Sequence, residues 1–225
     1  MDAKILQFTL PGFGSFASKI IGMLEAMDLA GERGGQRLFG NLSFALGEGS
    51  LLRVHGANGS GKTTLLRTLA GLTRPAAGAM RWNGRDIGDA YRRQMLFIGH
   101  APAVKDELTV MENLEFASRL AGLDSADSKI KGALEQLGIA RLAALPARYL
   151  SQGQRRRTAL ARLALSAAVP LWLLDEPFAA LDDEAIARVS ALCAAQLAAG
   201  GMLVLTSHQD IPIAAPDARS IELRS

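Results

Sequence analysis

The chain has 225 residues, of which 49% are hydrophobic and 21% charged, a globular composition with room for one large domain and a buried core. Its 25 basic and 22 acidic residues leave a formal net charge of +3, too even a balance to point to nucleic acid as a partner. A single cysteine, Cys193, excludes an internal disulfide framework, and without a Cys/His cluster neither a protein-built metal site nor a covalent haem site is expected.

Residues 1–22 are apolar and glycine-containing but are broken by Asp2, Lys4, Pro11 and Lys19. They lack the basic start and small-residue cleavage site of a signal peptide. The segment therefore reads as an N-terminal extension, disordered or spurious, with a second possible start at Met23. No stretch of the chain reaches the run of about 18 apolar residues that a membrane helix needs.

Leu42 to Phe44 and Leu51 to His55 read as strands separated by a turn at Gly47 to Gly49. A glycine-rich loop follows, and then a helical run from Lys62 to Ala70 that Gly71 stops. Met80 to Trp82 predicts a short strand before an Asn83-Gly84 turn, and Met95 to Gly99 another strand. Thr109 and Glu112 form a capping-box pattern for a helix to about Ala121, and a second helix spans about Ser125 to Leu137. A further capping box, Ser151 with Gln154, opens a helix expected to run to about Ala167. Leu171 to Leu174 is a continuous apolar run, as in a parallel strand covered on both faces. A helix from Asp183 to Ala199 and a buried strand from Met202 to Thr206 complete the alternation. Strand and helix alternate at both ends, with only helix between about residues 100 and 150, which predicts an α/β nucleotide-binding core carrying a helical insert.

Gly56-Ala57-Asn58-Gly59-Ser60-Gly61-Lys62-Thr63 matches the P-loop pattern G-x-x-x-x-G-K-S/T, and it lies after a strand and before a helix as that loop must. Glycine lets successive amides face one anion, and the helix N-terminus adds its positive dipole end. Gly56, Asn58, Gly59, Ser60, Gly61, Lys62, Thr63 and Thr64 are the candidate phosphate contacts; Lys62 supplies a point charge and Thr63 a hydroxyl for Mg²⁺. Asp175, at the carboxyl end of the Leu171 to Leu174 run, is the candidate second metal ligand. Glu176 beside it suits a general base that orients the attacking water. His55, on the strand before the loop, reads as a packed core histidine. These motifs alone establish a P-loop nucleotide-binding protein, a class that includes kinases, GTPases and ATPases.

Between the two motifs lies Leu150-Ser151-Gln152-Gly153-Gln154, which resembles the LSGGQ signature of ABC ATPases. Ser151 and the amides of Gly153 and Gln154 stand at a helix N-terminus, an anion site in its own right. The resemblance covers about Leu24 to Gln209. It implies an ABC-type P-loop core with a helical subdomain at about 100–165 and an N-terminal antiparallel β region, the whole domain spanning 23–225. It also implies an ATP-sandwich homodimer, in which Ser151, Gly153 and Gln154 face the γ-phosphate held by the other copy. Ala180-Leu181-Asp182 matches the loop that passes between the subunits, and His208 matches the switch histidine that contacts the γ-phosphate. His100 stands where most ABC ATPases have a glutamine that senses Mg²⁺ and water, and an imidazole can serve a related role. Arg33 falls where an aromatic residue usually stacks on adenine, and a guanidinium plane can stack there too.

Within that family the segments Gly99 to Leu114, Arg37 to Phe39, Asn58 to Arg67, Arg81 to Gly84, Trp172 to Phe178 and Thr206 to Gln209 resemble the CcmA family, the ATPase subunits of bacterial cytochrome c maturation. That family shares the histidine at position 100, whereas Gln152 departs from its usual LSAGQ. The resemblance implies ATP and Mg²⁺ as cofactors and a peripheral place on the cytoplasmic face of the inner membrane. Its integral partners would resemble CcmB and CcmC, with no nucleic acid involved, and its work would be haem export or release of a haem-loaded chaperone. The residues leave open the motor of another ABC exporter, or a soluble ATP-gated clamp, although this chain lacks the coiled-coil inserts or tandem cassettes usual in such clamps.

Overall fold

The computed structural model describes residues 22–223, so the expected extension lies, except for Gly22, outside the described residues. The chain begins with strands β1 (Leu24–Arg33), β2 (Gln36–Leu46) and β3 (Ser50–Gly56), followed by helix α1 (Lys62–Leu69). Next come β4 (Ala77–Trp82), β5 (Arg85–Asp86), the single turn α2 (Asp89–Arg92) and β6 (Met95–Ile98). Four helices follow, α3 (Val110–Leu120), α4 (Asp127–Gln136), α5 (Gln152–Leu160) and α6 (Arg162–Leu165). The chain ends with β7 (Leu171–Asp175), α7 (Asp183–Ala198), β8 (Met202–Thr206) and β9 (Asp217–Leu223).

Two sheets result. β1 pairs antiparallel with both β2 and β4, giving the order β2-β1-β4-β5. Gly34 and Gly35, at φ 60° and 79°, close the first hairpin; Asn83 and Gly84, at 52° and 73°, close the predicted one. Both are the left-handed pairs that match strand twist in two-residue turns. The second sheet, β6-β7-β8-β3-β9, is parallel at every pairing. β7 and β8 are buried along their whole length, as their unbroken apolar runs require.

Each face of the parallel sheet has its own core. On one, α1 buries Leu65, Leu66 and Leu69 against Leu173, Val204 and Trp82, filling the space under the antiparallel sheet. On the other, Val189, Cys193 and Leu197 of α7 pack with Trp172, Ile130 and Leu134. Between the neighbouring strands β6 and β7 the described chain is helical, and both expected capping boxes are formed, at Thr109 and at Ser151.

The helix expected from Ser151 to about Ala167 is instead two pieces. Ala161 ends α5 and begins α6, and the Ala164 N–H bonds the Ala161 carbonyl three residues back. That tighter closure interrupts the α-helical ladder. The parallel sheet brings the carboxyl ends of β3, β6, β7 and β8 to one edge, the place where open α/β sheets bind ligands.

Candidate nucleotide and catalytic site

β3 runs directly into the glycine loop. At Gly56, φ is 145° and a Cβ would stand 2.6 Å from the Leu223 carbonyl oxygen, so only glycine fits. Gly61 enters α1 at φ 99° with Leu38 Cβ 2.9 Å from where its own Cβ would be. The Lys62 ammonium is folded under this loop, donating to the carbonyls of Gly56 (2.8 Å) and Ala57 (3.2 Å). No acidic residue occupies the first turn of α1, which leaves its positive end open to an anion. Among the described residues the buried Ser60 Oγ has no hydrogen-bond partner, a polar atom in the loop that a phosphate oxygen would satisfy.

Asp175 ends β7 and is 1% exposed. Thr63 Oγ1 donates to its Oδ2 at 2.8 Å, and Thr206 Oγ1 donates to its Oδ1 at 2.8 Å. The same Thr206 oxygen accepts the Glu176 N–H at 2.8 Å. The Thr63 hydroxyl and the Asp175 carboxylate thus converge as hard oxygen donors, a set that fits Mg²⁺. Among the described residues no group of three or more His, Cys, Asp or Glu gathers, so phosphate oxygens and water would have to complete such a site.

Glu176 sits at φ 50°, an unusual conformation for a residue with a Cβ. Its carboxylate lies between two imidazoles: His208 Nε2 is 3.1 Å from Oε1 and His100 Nδ1 is 3.8 Å from Oε2. Arg156 lies under this group, 2% exposed, and donates to the carbonyls of Gly99, His100, Asp175 and Glu176. Burial pulls its pKa down, while the charges of Asp175 and Glu176 act in the opposite sense.

The structure therefore brings together Lys62, Thr63, Asp175, Glu176, His208 and His100 at the carboxyl edge. The Ser151 segment forms a separate group. Ser151 Oγ accepts the Gln154 N–H at 3.3 Å, and Gln154 Oε1 accepts the Ser151 N–H at 2.9 Å. These bonds close on each other and none reaches the glycine loop. A Cβ on Gly153 would stand 2.6 Å from the Ala180 carbonyl oxygen, and Ala180 itself is at φ 60°. Asp182 then caps α7 through the Ala185 N–H and faces Arg157 at 3.9 Å. Arg33 is exposed at the tip of the β1–β2 hairpin, and no described hydrogen bond or ion pair joins it to the glycine loop. Thr206 and Arg156 are not among the site residues expected from the sequence. Thr206 could have been noticed as a polar residue closing an apolar strand; Arg156 is one of three consecutive arginines with nothing to single it out.

Comparison with known proteins extends this picture. The ABC transporter family model matches residues 39–179. The cytochrome c biogenesis ATP-binding export protein CcmA of Aromatoleum aromaticum is 50% identical over 197 residues, covering 86% of this chain and 92% of that protein. The protein of the same description from Pseudomonas aeruginosa is 46% identical, covering 85% and 95%. A solved ATP-binding subunit of an ABC transporter superimposes with a TM-score of 0.74 at 30% identity, over 83% of this chain and 79% of the other. A dimeric, post-hydrolysis ATP-binding cassette bound to ADP and Pi shares the fold, with a TM-score of 0.73 at 24% identity over 83% and 88%. The chain accordingly belongs to the ABC transporter family of ATP-hydrolysing subunits, among the cytochrome c biogenesis ATP-binding export proteins.

Proposed function

We propose that the chain, with residues 23–225 forming one ATP-binding domain and about 100–165 its helical subdomain, hydrolyses ATP at the carboxyl edge of the parallel sheet. The observation that carries this reading is the Glu176 carboxylate, set between His208 and His100 and adjoining the Thr63–Asp175 pair. Gly56, Asn58, Gly59, Ser60, Gly61 and Thr64 present amides and hydroxyls to the phosphates. Lys62 leaves its two loop carbonyls to meet the β and γ oxygens. Thr63 and Asp175 would hold Mg²⁺, which when bound neutralises charge between the β and γ phosphates. Glu176 orients a water for in-line attack on the γ-phosphorus and takes up its proton, and the P–O bond to ADP breaks as the new one forms. His208 contacts the γ-phosphate from the other side of the carboxylate, and His100 holds the water from the second imidazole position. Arg33 would stack on adenine.

A second copy completes the site. Ser151 and the amides of Gly153 and Gln154 cap the γ-phosphate held by the partner's glycine loop. Among the described residues no helix is long and apolar enough to cross a membrane. The membrane step is assigned to integral subunits resembling CcmB and CcmC, with this chain bound peripherally at the cytoplasmic face of the bacterial inner membrane. The names of its relatives, cytochrome c biogenesis ATP-binding export proteins, support export in that process as the work done, which we read as haem export or release of a haem-loaded chaperone. Glu176→Gln should bind ATP, accumulate as a dimer and lose turnover by a factor on the order of 10²–10⁴. Lys62→Ala should lose nucleotide binding, and chelation of Mg²⁺ should stop hydrolysis. Size-exclusion chromatography with ATP and a phosphate-release assay measure these outcomes, and a wild-type rate in Glu176→Gln would remove the base from the mechanism.

A further inference from the structure

Arg156 belongs to the second turn of α5, yet its guanidinium reaches the end of the parallel sheet. Nη2 donates to the carbonyls of Asp175 and Glu176, each at 2.7 Å, and Nη1 to those of Gly99 (2.9 Å) and His100 (3.1 Å). Nε adds the Pro177 carbonyl at 3.4 Å. Five backbone oxygens from two separate strand ends thus meet one side chain. Only a guanidinium has donors enough, fixed in one plane, to serve such a set.

The pattern of tethered residues is informative. Glu176 is held at both ends of its backbone, its N–H on Thr206 Oγ1 and its carbonyl on Arg156. At φ 50° it needs such holding, because a left-handed residue with a Cβ persists only where its surroundings fix it. His100, whose imidazole faces the same carboxylate, has its carbonyl on the same guanidinium. Its side chain is mostly exposed, so its aim at Glu176 depends on where its backbone is anchored. A buried arginine that merely joined two loops could bond any carbonyls within reach. Two of its five carbonyl partners belong to the residues whose imidazole and carboxylate face each other at 3.8 Å.

We propose that Arg156 is a positioning residue for hydrolysis, which locks the backbones of His100 and Glu176 to one anchor and so sets the imidazole against the carboxylate. The inference rests on the reading of Glu176 as the base. Its test is a double-mutant cycle on the full chain assembled with its membrane partners, measuring kcat and KM for ATP in Arg156→Lys, His100→Ala and the double variant. Arg156→Gln leaves several buried carbonyls without donors and is expected to melt early. Arg156→Lys keeps the charge and some of the bonds, and it therefore carries the test, with ATP binding confirming a folded loop.

The expected result is a fall in kcat of about 10–100-fold in Arg156→Lys with KM changed less than about threefold, an interaction lost in the transition state and not in substrate binding. His100→Ala should lower kcat by itself. It should cost little more in the Arg156→Lys background, where the imidazole is already misplaced. A wild-type kcat in Arg156→Lys, losses that multiply in the double variant, or losses of ATP binding and melting temperature in proportion to activity would each overturn the proposal. Glu176→Gln decides the underlying reading separately: if it keeps full turnover the base assignment fails, whatever the cycle shows.

Discussion

Thr206 uses one oxygen twice, donating to Asp175 Oδ1 and accepting from the Glu176 amide. Thr206→Val would keep the shape but leave a buried carboxylate oxygen and an amide unpaired, a cost of about 1–3 kcal/mol. Turnover should drop with it, and Thr206→Ser should recover most of both, as a thermal melt and a phosphate-release assay will show. Lys62, Thr63, Asp175 and Glu176 were legible in the sequence because their chemistry is carried by residue type at a fixed spacing. Thr206 and Arg156 were not, because each acts on backbone atoms of residues far away in the chain. His208 and His100 are assigned by resemblance, and both imidazoles face the Glu176 carboxylate, at 3.1 and 3.8 Å. Arg33 lies at the hairpin tip, and Leu38 and Phe39 of β2 are the side chains beside Gly61.

At the scale of elements, α5 is tied to the loop before α7 more closely than its cap alone requires. The space that a Gly153 side chain would fill is taken by the Ala180 carbonyl oxygen, 2.6 Å from a Cβ there. Backbone cannot retreat cheaply, so Gly153→Ala should push the start of α5 away from that loop. It should reduce ATP-dependent dimerisation and turnover at least tenfold while a single copy still binds ATP, as nucleotide binding and light scattering will show. Gln152, one position earlier, is exposed. Helices α3, α4 and α7 were legible from caps and periodicity, and β7 and β8 from unbroken apolar runs. β1 is not legible as a strand, because Asp28 at φ 48° bulges it and shifts the pairing between Ala26 and Leu29, so its inward positions change phase. β9 is hidden for another reason: it is an edge strand in which only Leu223 is buried.

The whole molecule folds around two cores that share the parallel sheet, and Cys193 lies in one of them with no exposed surface. Burial pushes its thiol pKa up to about 12. Tyr91, buried on the other face, is raised for the same reason. Both groups stay protonated in the fold while the unfolded chain ionises, so their stability contribution is intact below about pH 8.5 and is lost as pH rises beyond it. Denaturation midpoints at pH 7 and pH 10 should show that fall, and a thiol reagent at neutral pH should label Cys193 only as fast as the chain unfolds. The Ser151 cap and the glycine loop are two separate groups on one chain, so damage to each can be placed on different copies. Mix Lys62→Ala chains with Ser151→Arg chains, both inactive alone. Random twofold pairing gives mixed dimers in which both lesions fall on one phosphate position and the other is assembled entirely from sound parts. Roughly a quarter of wild-type turnover should return on mixing, from two preparations that have none.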